Sequence, residues 1–334
     1  MGSRSLALFL AFLCVTAGGM AQQACKASEV SIGVISGNGD TFRGLAAQDF
    51  AAVVQKKPVV VKALTFDDGP RRVLFVVEFG KHLPAESRRV ALELLQGVVD
   101  AGRPQDSFAL VIARGTGQGV KFGEDRSTLV HALDRAGDSN GGKDSGPGVL
   151  DAVMTGIESF GDPQSGDAIV VIAADMEKNH KANAKTVAKA LDQHRIRMFG
   201  LALGPVSARS SVASGTSTST TGRGLAEVTP GVGDFVYDTG DENFFPLTTN
   251  SGGLVLVVIN GAGSRSYNMD DLRSRQEIRQ KGQAVFNMVS SFYRMQIEPP
   301  QLARPEGWTL KVNEEIRKHA PAMFLLYPRE LGPC

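Results

Sequence analysis

The sequence has almost no net charge, because 36 lysine and arginine residues balance 35 aspartate and glutamate residues to give +1. A surface that binds nucleic acid or an anionic membrane needs a marked excess of positive charge. The composition therefore gives no electrostatic reason to expect either partner. A hydrophobic content of 42% and a charged content of 21% are ordinary for a globular protein, so the chain can form a core.

The sequence also lacks a comfortable membrane span, because the apolar run from Leu6 to Val15 is too short and small residues follow it. Arg4 precedes this run, and a small-residue cleavage site ends at Ala21. This arrangement is typical of an export signal, so residues 1–21 are predicted to be removed. The mature protein is then secreted or located in the periplasm or cell envelope. A retained N-terminal anchor is the alternative.

Cysteine is scarce, with three residues in the chain. Removal of the signal takes Cys14 and leaves Cys25 and Cys334, one near each end of the mature chain. Export favours disulfide bonds, and the two ends of a domain often lie close together. A Cys25–Cys334 bond and two free thiols are both open; closing so long a loop would contribute about 4–5 kcal/mol in the chain-entropy model.

Strands and helices alternate along the middle of the chain. Helical patterns separate four strand-like segments, at residues 73–77, 108–113, 168–173 and 196–203, and the first is a continuous apolar run of the kind found in strands that are covered on both faces. This alternation predicts an α/β fold with an open, mostly parallel sheet over residues 71–293. The last part of this region, Asp270 to Tyr293, is predicted to be one long amphipathic helix.

Three other segments have different patterns. Residues 22–70 and 294–334 have short strand-like runs separated by turn residues, and each is predicted to form a small β extension of the central domain. Residues 206–224 are rich in serine, threonine and glycine and have almost no apolar side chains. A flexible surface loop is expected there.

Two glycine-rich motifs resemble parts of enzymes, but their contexts do not fit. Gly115–Gly119 follows a strand, as a dinucleotide loop does, yet no helix pattern follows it and the full G-x-G-x-x-G spacing is missing. A glycine-rich hairpin fits better. Gly137–Gly141 reads G-x-S-x-G, but a nucleophile at Ser139 needs a strand before it, and a helix pattern precedes it. A secreted hydrolase that uses Ser139 is an alternative; the expectation is a protein that is not an enzyme.

Three motifs, taken in their order along the chain, point to one family. Gly44–Phe50 is similar to a G-L-x-x-x-D-F segment, Thr248–Gly253 to an E-x-T-G-G turn, and Phe292–Pro299 to a Y-x-L-x-Y-x-P strand. In this order they resemble the acidobacterial-type von Willebrand factor A-related family of exported proteins. The resemblance implies a doubly wound, Rossmann-like α/β domain. It also implies a role in binding other proteins.

The same resemblance implies a metal site at the carboxyl edge of the sheet, where three loops hold a magnesium ion. It places five positions of this chain in those loops: Glu78, Gly80, His82, Ser145 and Asp175. Mg²⁺ requires oxygen ligands in near-octahedral geometry. Gly80 offers no side-chain ligand, and His82 offers nitrogen, which suits magnesium poorly. The family's threonine falls near Pro147, which has no ligand to offer.

The metal site is therefore expected to be degenerate, and no cofactor is expected. Binding of Mg²⁺ or Mn²⁺ is the alternative, and a transition metal bound through His82 is a third. Without an ion, Glu78 is expected to be a solvated carboxylate, with Lys81 available to neutralise it, and Asp175 to cap a loop. The sequence thus predicts an exported, non-enzymatic module that binds an unknown protein partner. A structural component of the cell envelope is another alternative.

Overall fold

A computed structural model of the protein describes two sheets with their flanking helices. The described residues contain no helix that is both long and apolar enough to cross a membrane. The predicted export signal, the segment 206–224, Cys25 and Cys334 lie outside them. The described ranges are 28–36, 39–80, 83–115, 119–138, 146–174, 181–203, 244–258, 267–298, 302–320 and 323–332.

The secondary structure of these ranges is as follows. The strands are β1 (Ser28–Ile35), β2 (Phe50–Val54), β3 (Lys57–Asp67), β4 (Arg72–Glu78), β5 (Ser107–Ala113), β6 (Ala168–Ala173), β7 (Arg197–Ala202), β8 (Val255–Val257), β9 (Phe292–Glu298), β10 (Glu306–Val312), β11 (Phe324–Leu326) and β12 (Glu330–Leu331). The helices are α1 (Ala85–Ala101), α2 (Arg126–Asp138), α3 (Val149–Ser159), α4 (Ala184–His194), α5 (Phe244–Asn250), α6 (Leu272–Ser290) and α7 (Glu314–His319).

The five-stranded sheet is parallel throughout and has the order β5-β4-β6-β7-β8. Residues 73–77 of β4 are completely buried, because both faces of the sheet are covered. Side chains of α1, α2 and α6 pack on one face, and side chains of α3 and α4 on the other. The predicted α/β fold with a parallel central sheet is confirmed.

Helix α6 ends earlier than the sequence pattern predicts. The expected helix from Asp270 to Tyr293 is wrong at its end, because Ser291 is extended (φ −128°, ψ 122°) and α6 stops at Ser290. From Tyr293 to Ile297 every second residue is buried, which is the pattern of a strand with one covered face. In this segment the alternating burial of a strand, and not the helical pattern, describes the structure.

The β extensions expected at the two ends form a single sheet. Its order is β11-β1-β9-β3-β2-β10-β12, and every pair is antiparallel. Strand β9 lies between β1 and β3, and β10 lies between β2 and β12. Strands from the N-terminal region and strands from the C-terminal region are thus interleaved in the sheet. A few short strands cannot bury a face alone, and each end supplies the strands that the other needs.

The connection from β3 to β4 passes beside the last turn of α6, from which the chain enters β9. The chain leaves β3 at Asp67 and enters β4 through Arg71, whose Nε donates to the carbonyl of Ser290 at 2.9 Å. The Nη2 of Arg71 also donates to Oδ1 of Asp67 at 2.7 Å. The last carbonyls of a helix lack partners within the helix, and a cation there also interacts favourably with the helix dipole.

A second arginine reaches the same helix end. Nη2 of Arg197, the first residue of β7, donates to the carbonyl of Val289 at 2.7 Å. The ring centroid of Phe292 lies 4.3 Å from Cζ of Arg197 and 4.5 Å from Cζ of Arg71. Both arginines are buried. The junction between the sheets therefore holds two buried guanidinium groups against one aromatic ring.

Candidate functional site

The strand order reverses between β4 and β6, because the chain builds the sheet outward from β4 on one side and then continues on the other. In open α/β sheets, ligands bind outside the carboxyl ends of the strands at such a reversal. Strand β4 ends at Glu78. The structure thus places a residue predicted from the sequence at the position where this type of sheet forms its sites.

Glu78 is buried, with 2% of its surface exposed, and both of its carboxylate oxygens accept hydrogen bonds. Nη1 of Arg114 donates to Oε1 at 2.9 Å, and the backbone N–H of Ala174 donates to Oε2 at 2.9 Å. The expectation of a solvated carboxylate is wrong, because the ends of β5 and β6 enclose the side chain. Arg114 pairs with Glu78 in the place where Lys81 was expected, and Lys81 lies outside the described residues.

Arg114 is a site residue that sequence reasoning missed. It directly follows β5 and has a left-handed backbone (φ 54°), which is uncommon for a residue other than glycine. Its own N–H donates to the carbonyl of Pro147 at 2.8 Å, so the loop before α3 is tied to the end of β5. A signal was available: β4 ends in a carboxylate, and a neighbouring buried strand is followed at once by an arginine.

The beginning of α3 is tied to the segment that precedes α4. Oδ1 of Asp151, in the first turn of α3, accepts the N–H of Ala182 at 2.7 Å and that of Lys181 at 3.0 Å. Gly146 packs so closely on the end of β5 that a Cβ atom there would lie 3.0 Å from the nitrogen of Gly115. The connections at the carboxyl edge are therefore held to one another.

The described residues do not fit a magnesium ion. Of the five predicted positions, Glu78 and Gly80 are described, whereas His82, Ser145 and Asp175 lie outside the described residues. Both oxygens of Glu78 already accept hydrogen bonds, and one donor is a guanidinium, which repels a second cation. Gly80 has no side-chain donor. Within the described ranges, no group of three or more His, Cys, Asp or Glu residues is arranged to hold a metal.

The structure describes only parts of the two glycine-rich motifs that resemble enzyme sequences. Ser139 lies outside the described residues, as do residues 116–118 of the glycine-rich segment. After Gly119 the chain forms an antiparallel bridge between Val120 and Leu110, with N–H to O distances of 2.9 and 2.8 Å. A dinucleotide loop would lead into a helix N-terminus at this point, whereas α2 begins at Arg126. The segment after Gly119 therefore has the geometry expected of a hairpin.

Comparisons with known proteins give solved structures of similar architecture, while no family model and no curated protein matches the chain. An aerotolerance-related membrane protein of Bacteroides fragilis NCTC 9343 is 19% identical (TM-score 0.39) and covers 64% of this chain and 98% of its own. BatB of Bacteroides thetaiotaomicron is 18% identical (TM-score 0.39), covering 64% and 97%. A von Willebrand factor type A protein of Catenulispora acidiphila is 10% identical (TM-score 0.39), covering 78% and 50%.

At these identities and TM-scores the similarity concerns architecture alone and bears on no activity. The von Willebrand factor A-related fold predicted from the motifs is supported by the molecule itself. Its parallel sheet has the strand reversal beside β4 that defines a doubly wound fold, and helices cover both faces.

Proposed function

We propose that this chain is an exported, non-enzymatic protein-binding module whose contact surface is the carboxyl edge of the parallel sheet around Glu78. The observation that supports this proposal is the fixed geometry of that edge. Glu78, Arg114 and Asp151 tie together the ends of β4, β5 and β6 and the segments before α3 and α4. Binding residues are often found on loops that a rigid scaffold positions in this way.

The class of partner, a protein, comes from the von Willebrand factor A resemblance and is an analogy at the level of the fold. In a domain of that family with an intact site, a carboxylate of the partner completes the coordination of the metal. The described residues of this chain do not fit the metal, so the partner is bound through side chains and backbone groups of the loops. The adhesion site is then degenerate and free of metal.

Photo-crosslinking at the two edges of the sheet tests the location of the surface. Lys181 is exposed and lies at the carboxyl edge, next to the start of α4, whereas Gln105 is exposed and lies at the amino edge, just before β5. A photo-reactive amino acid at position 181 is expected to form a reproducible adduct with one protein in the producing cells. The same residue at position 105 is the matched control and is expected to form none.

Adducts of the same partner from both positions, or from position 105 alone, would contradict the proposed surface. The substitution at position 181 leaves the scaffold intact, because the bonds of Lys181 to Asp151 use its backbone N–H. Thermal unfolding of both labelled proteins checks this point.

Export is tested by the intact mass of the protein recovered from outside the cytoplasm, measured without reductant. The expected mass is that of residues 22–334, because the signal is removed after Ala21. The same spectrum decides the state of the cysteines, since a Cys25–Cys334 bond makes the protein lighter by two hydrogens. A mass that includes residues 1–21 would contradict the cleaved signal.

A further inference from the structure

We propose that Arg114 takes the place of the metal ion: its guanidinium supplies the positive charge at this sheet edge, and its backbone N–H together with the carboxylate of Glu78 supplies the cross-links that a divalent cation supplies elsewhere in the family. The functional significance of this inference rests on the proposed contact surface, which is the same edge of the sheet. It does not depend on which protein binds there. Its physical basis is the set of contacts of Glu78 and Arg114.

The first part of the argument is charge. Glu78 is 2% exposed, and a carboxylate so deeply buried requires a compensating positive charge and hydrogen-bond donors. Arg114 supplies the charge at 2.9 Å, and 13% of its own side chain is exposed. The parallel register pairs Glu78 with Ala113, so the next residue, Arg114, begins directly beside the carboxylate. The compensation is thus part of the sheet itself.

The second part is connection. A metal in this position would join three loops, and the same three loops are joined here by protein groups. The side chain of Arg114 bonds the end of β4, and its N–H bonds Pro147 in the loop before α3. The remaining oxygen of Glu78 accepts the N–H of Ala174, where the chain leaves β6. The edge therefore needs no ion to hold its shape.

The consequence is that the stability of the edge does not respond to divalent cations until Arg114 is removed. An arriving cation meets a carboxylate that is already neutralised, and it is repelled by the guanidinium. Replacement of Arg114 by a neutral residue removes the guanidinium that donates to Oε1 of the buried Glu78. A cation that can enter then replaces the missing charge, and the variant acquires a response that the native protein lacks.

Thermal unfolding of the full mature protein, with EDTA, with Mg²⁺ and with Mn²⁺, tests this inference. The midpoint of the native protein is expected to be the same in all three. Arg114→Met is expected to unfold roughly 5–10 °C lower in EDTA and to regain part of the loss with Mn²⁺ or Mg²⁺. Glu78→Gln combined with Arg114→Met is the control, and it is expected to show no response because the carboxylate is gone.

Arg114→Gln keeps a hydrogen-bond donor for Glu78 without the charge, and it serves if the methionine variant does not fold. A native protein that Mn²⁺ stabilises, with the effect lost in Glu78→Gln, would overturn the inference. So would a neutral variant at position 114 that is destabilised but indifferent to cations, because the ion pair would then have a purely structural role. These measurements use the protein alone, so their failure is distinguishable from failure of the crosslink at Lys181.

Discussion

Replacing Arg71 by methionine is expected to lower the free energy of unfolding by about 3–5 kcal/mol, because it breaks a buried ion pair by removing one partner. Arg71 is buried, and its guanidinium donates to Ser290, to Pro70 and to both a carbonyl and a carboxylate oxygen of Asp67. Burial raises the pKa of Asp67, but hydrogen bonds from Arg71 and Gly69 outweigh it and hold that pKa below its ordinary value. The variant leaves this carboxylate with the half-exposed Arg294, whose Nε lies 3.1 Å from Oδ2, as its remaining cation, and it leaves three carbonyl groups without the donors that Arg71 supplied.

The same substitution at Arg197 is expected to be neutral or to stabilise the protein by about 1–4 kcal/mol. Arg197 is equally buried and contacts the same ring and the same helix end. Its Nη2 bonds Val289, but its Nε and Nη1 have no hydrogen-bond partner among the described residues. Burial lowers the pKa of Arg197 to about 9, and the nearby charge of Arg71 acts in the same direction.

The lowered pKa gives the Arg197 comparison a pH dependence with a definite sign. The folded state holds this proton less tightly than the unfolded state, so the charge costs stability, and the cost is fully present below pH 9. Above pH 9 the folded protein releases the proton first and the cost declines. Any gain in the free energy of unfolding from Arg197→Met should therefore shrink by about 1 kcal/mol for each pH unit above 9.

Denaturant unfolding of the native protein and both variants at pH 7 and pH 10 provides the measurement. The expected order at pH 7 is Arg197→Met at or above the native protein, and Arg71→Met well below it. Equal losses for the two variants would show that the two guanidinium groups are equivalent, against the contacts described above. An advantage of Arg197→Met that stays constant at pH 10 would contradict the lowered pKa.

Gly97→Ala is expected to lower the free energy of unfolding by about 3 kcal/mol or more. Helices α1 and α6 lie in close backbone contact at Gly97 and Gly282. A Cβ atom on Gly97 would lie 2.9 Å from the carbonyl carbon of Arg279 and closer still to its oxygen. The obstacle is the backbone of a long helix, which cannot move aside without separating the two helices.

Gly156→Ala in α3 is the matched control. Both substitutions place alanine inside a helix, where it is intrinsically favoured by about 1 kcal/mol. The new methyl group of Gly156→Ala meets Cδ2 of Leu74 at 2.6 Å, which is the far end of a side chain that can change position. Gly156→Ala should therefore lower the free energy of unfolding by about 1 kcal/mol or less. Chemical denaturation of the two variants measures the difference, and equal losses would contradict the close crossing of α1 and α6.

The parallel sheet was predictable because its strands are covered on both faces and therefore read as continuous apolar runs. The run at 168–173 coincides with β6, and the run at 108–113 differs from β5 by one residue. The antiparallel sheet was not predictable as one unit, because pairs such as Val61 and Ile297 join distant parts of the chain. Helix α5 was missed because it is short, and part of it was interpreted as the turn before β8.

At the candidate site, the sequence indicated the location of Glu78 but not its environment. A glutamate after a strand reads as solvated, and Arg114 reads as an ordinary loop residue. Only the parallel register, which places Ala113 beside Glu78, shows that the two side chains meet. The roles of His82, Ser145 and Asp175 and the pairing of the cysteines stay predictions.

The alternation of early and late strands in the antiparallel sheet affects the order in which the emerging chain can fold. As the chain emerges from its N-terminus, β1 and β3 appear long before β9, which must lie between them, and β2 waits in the same way for β10. The parallel sheet draws all its strands from residues 72–257 and is complete in the nascent chain earlier. The first strands to be translated are thus among the last to find their neighbours, and until then their open edges are exposed to pairing with other chains.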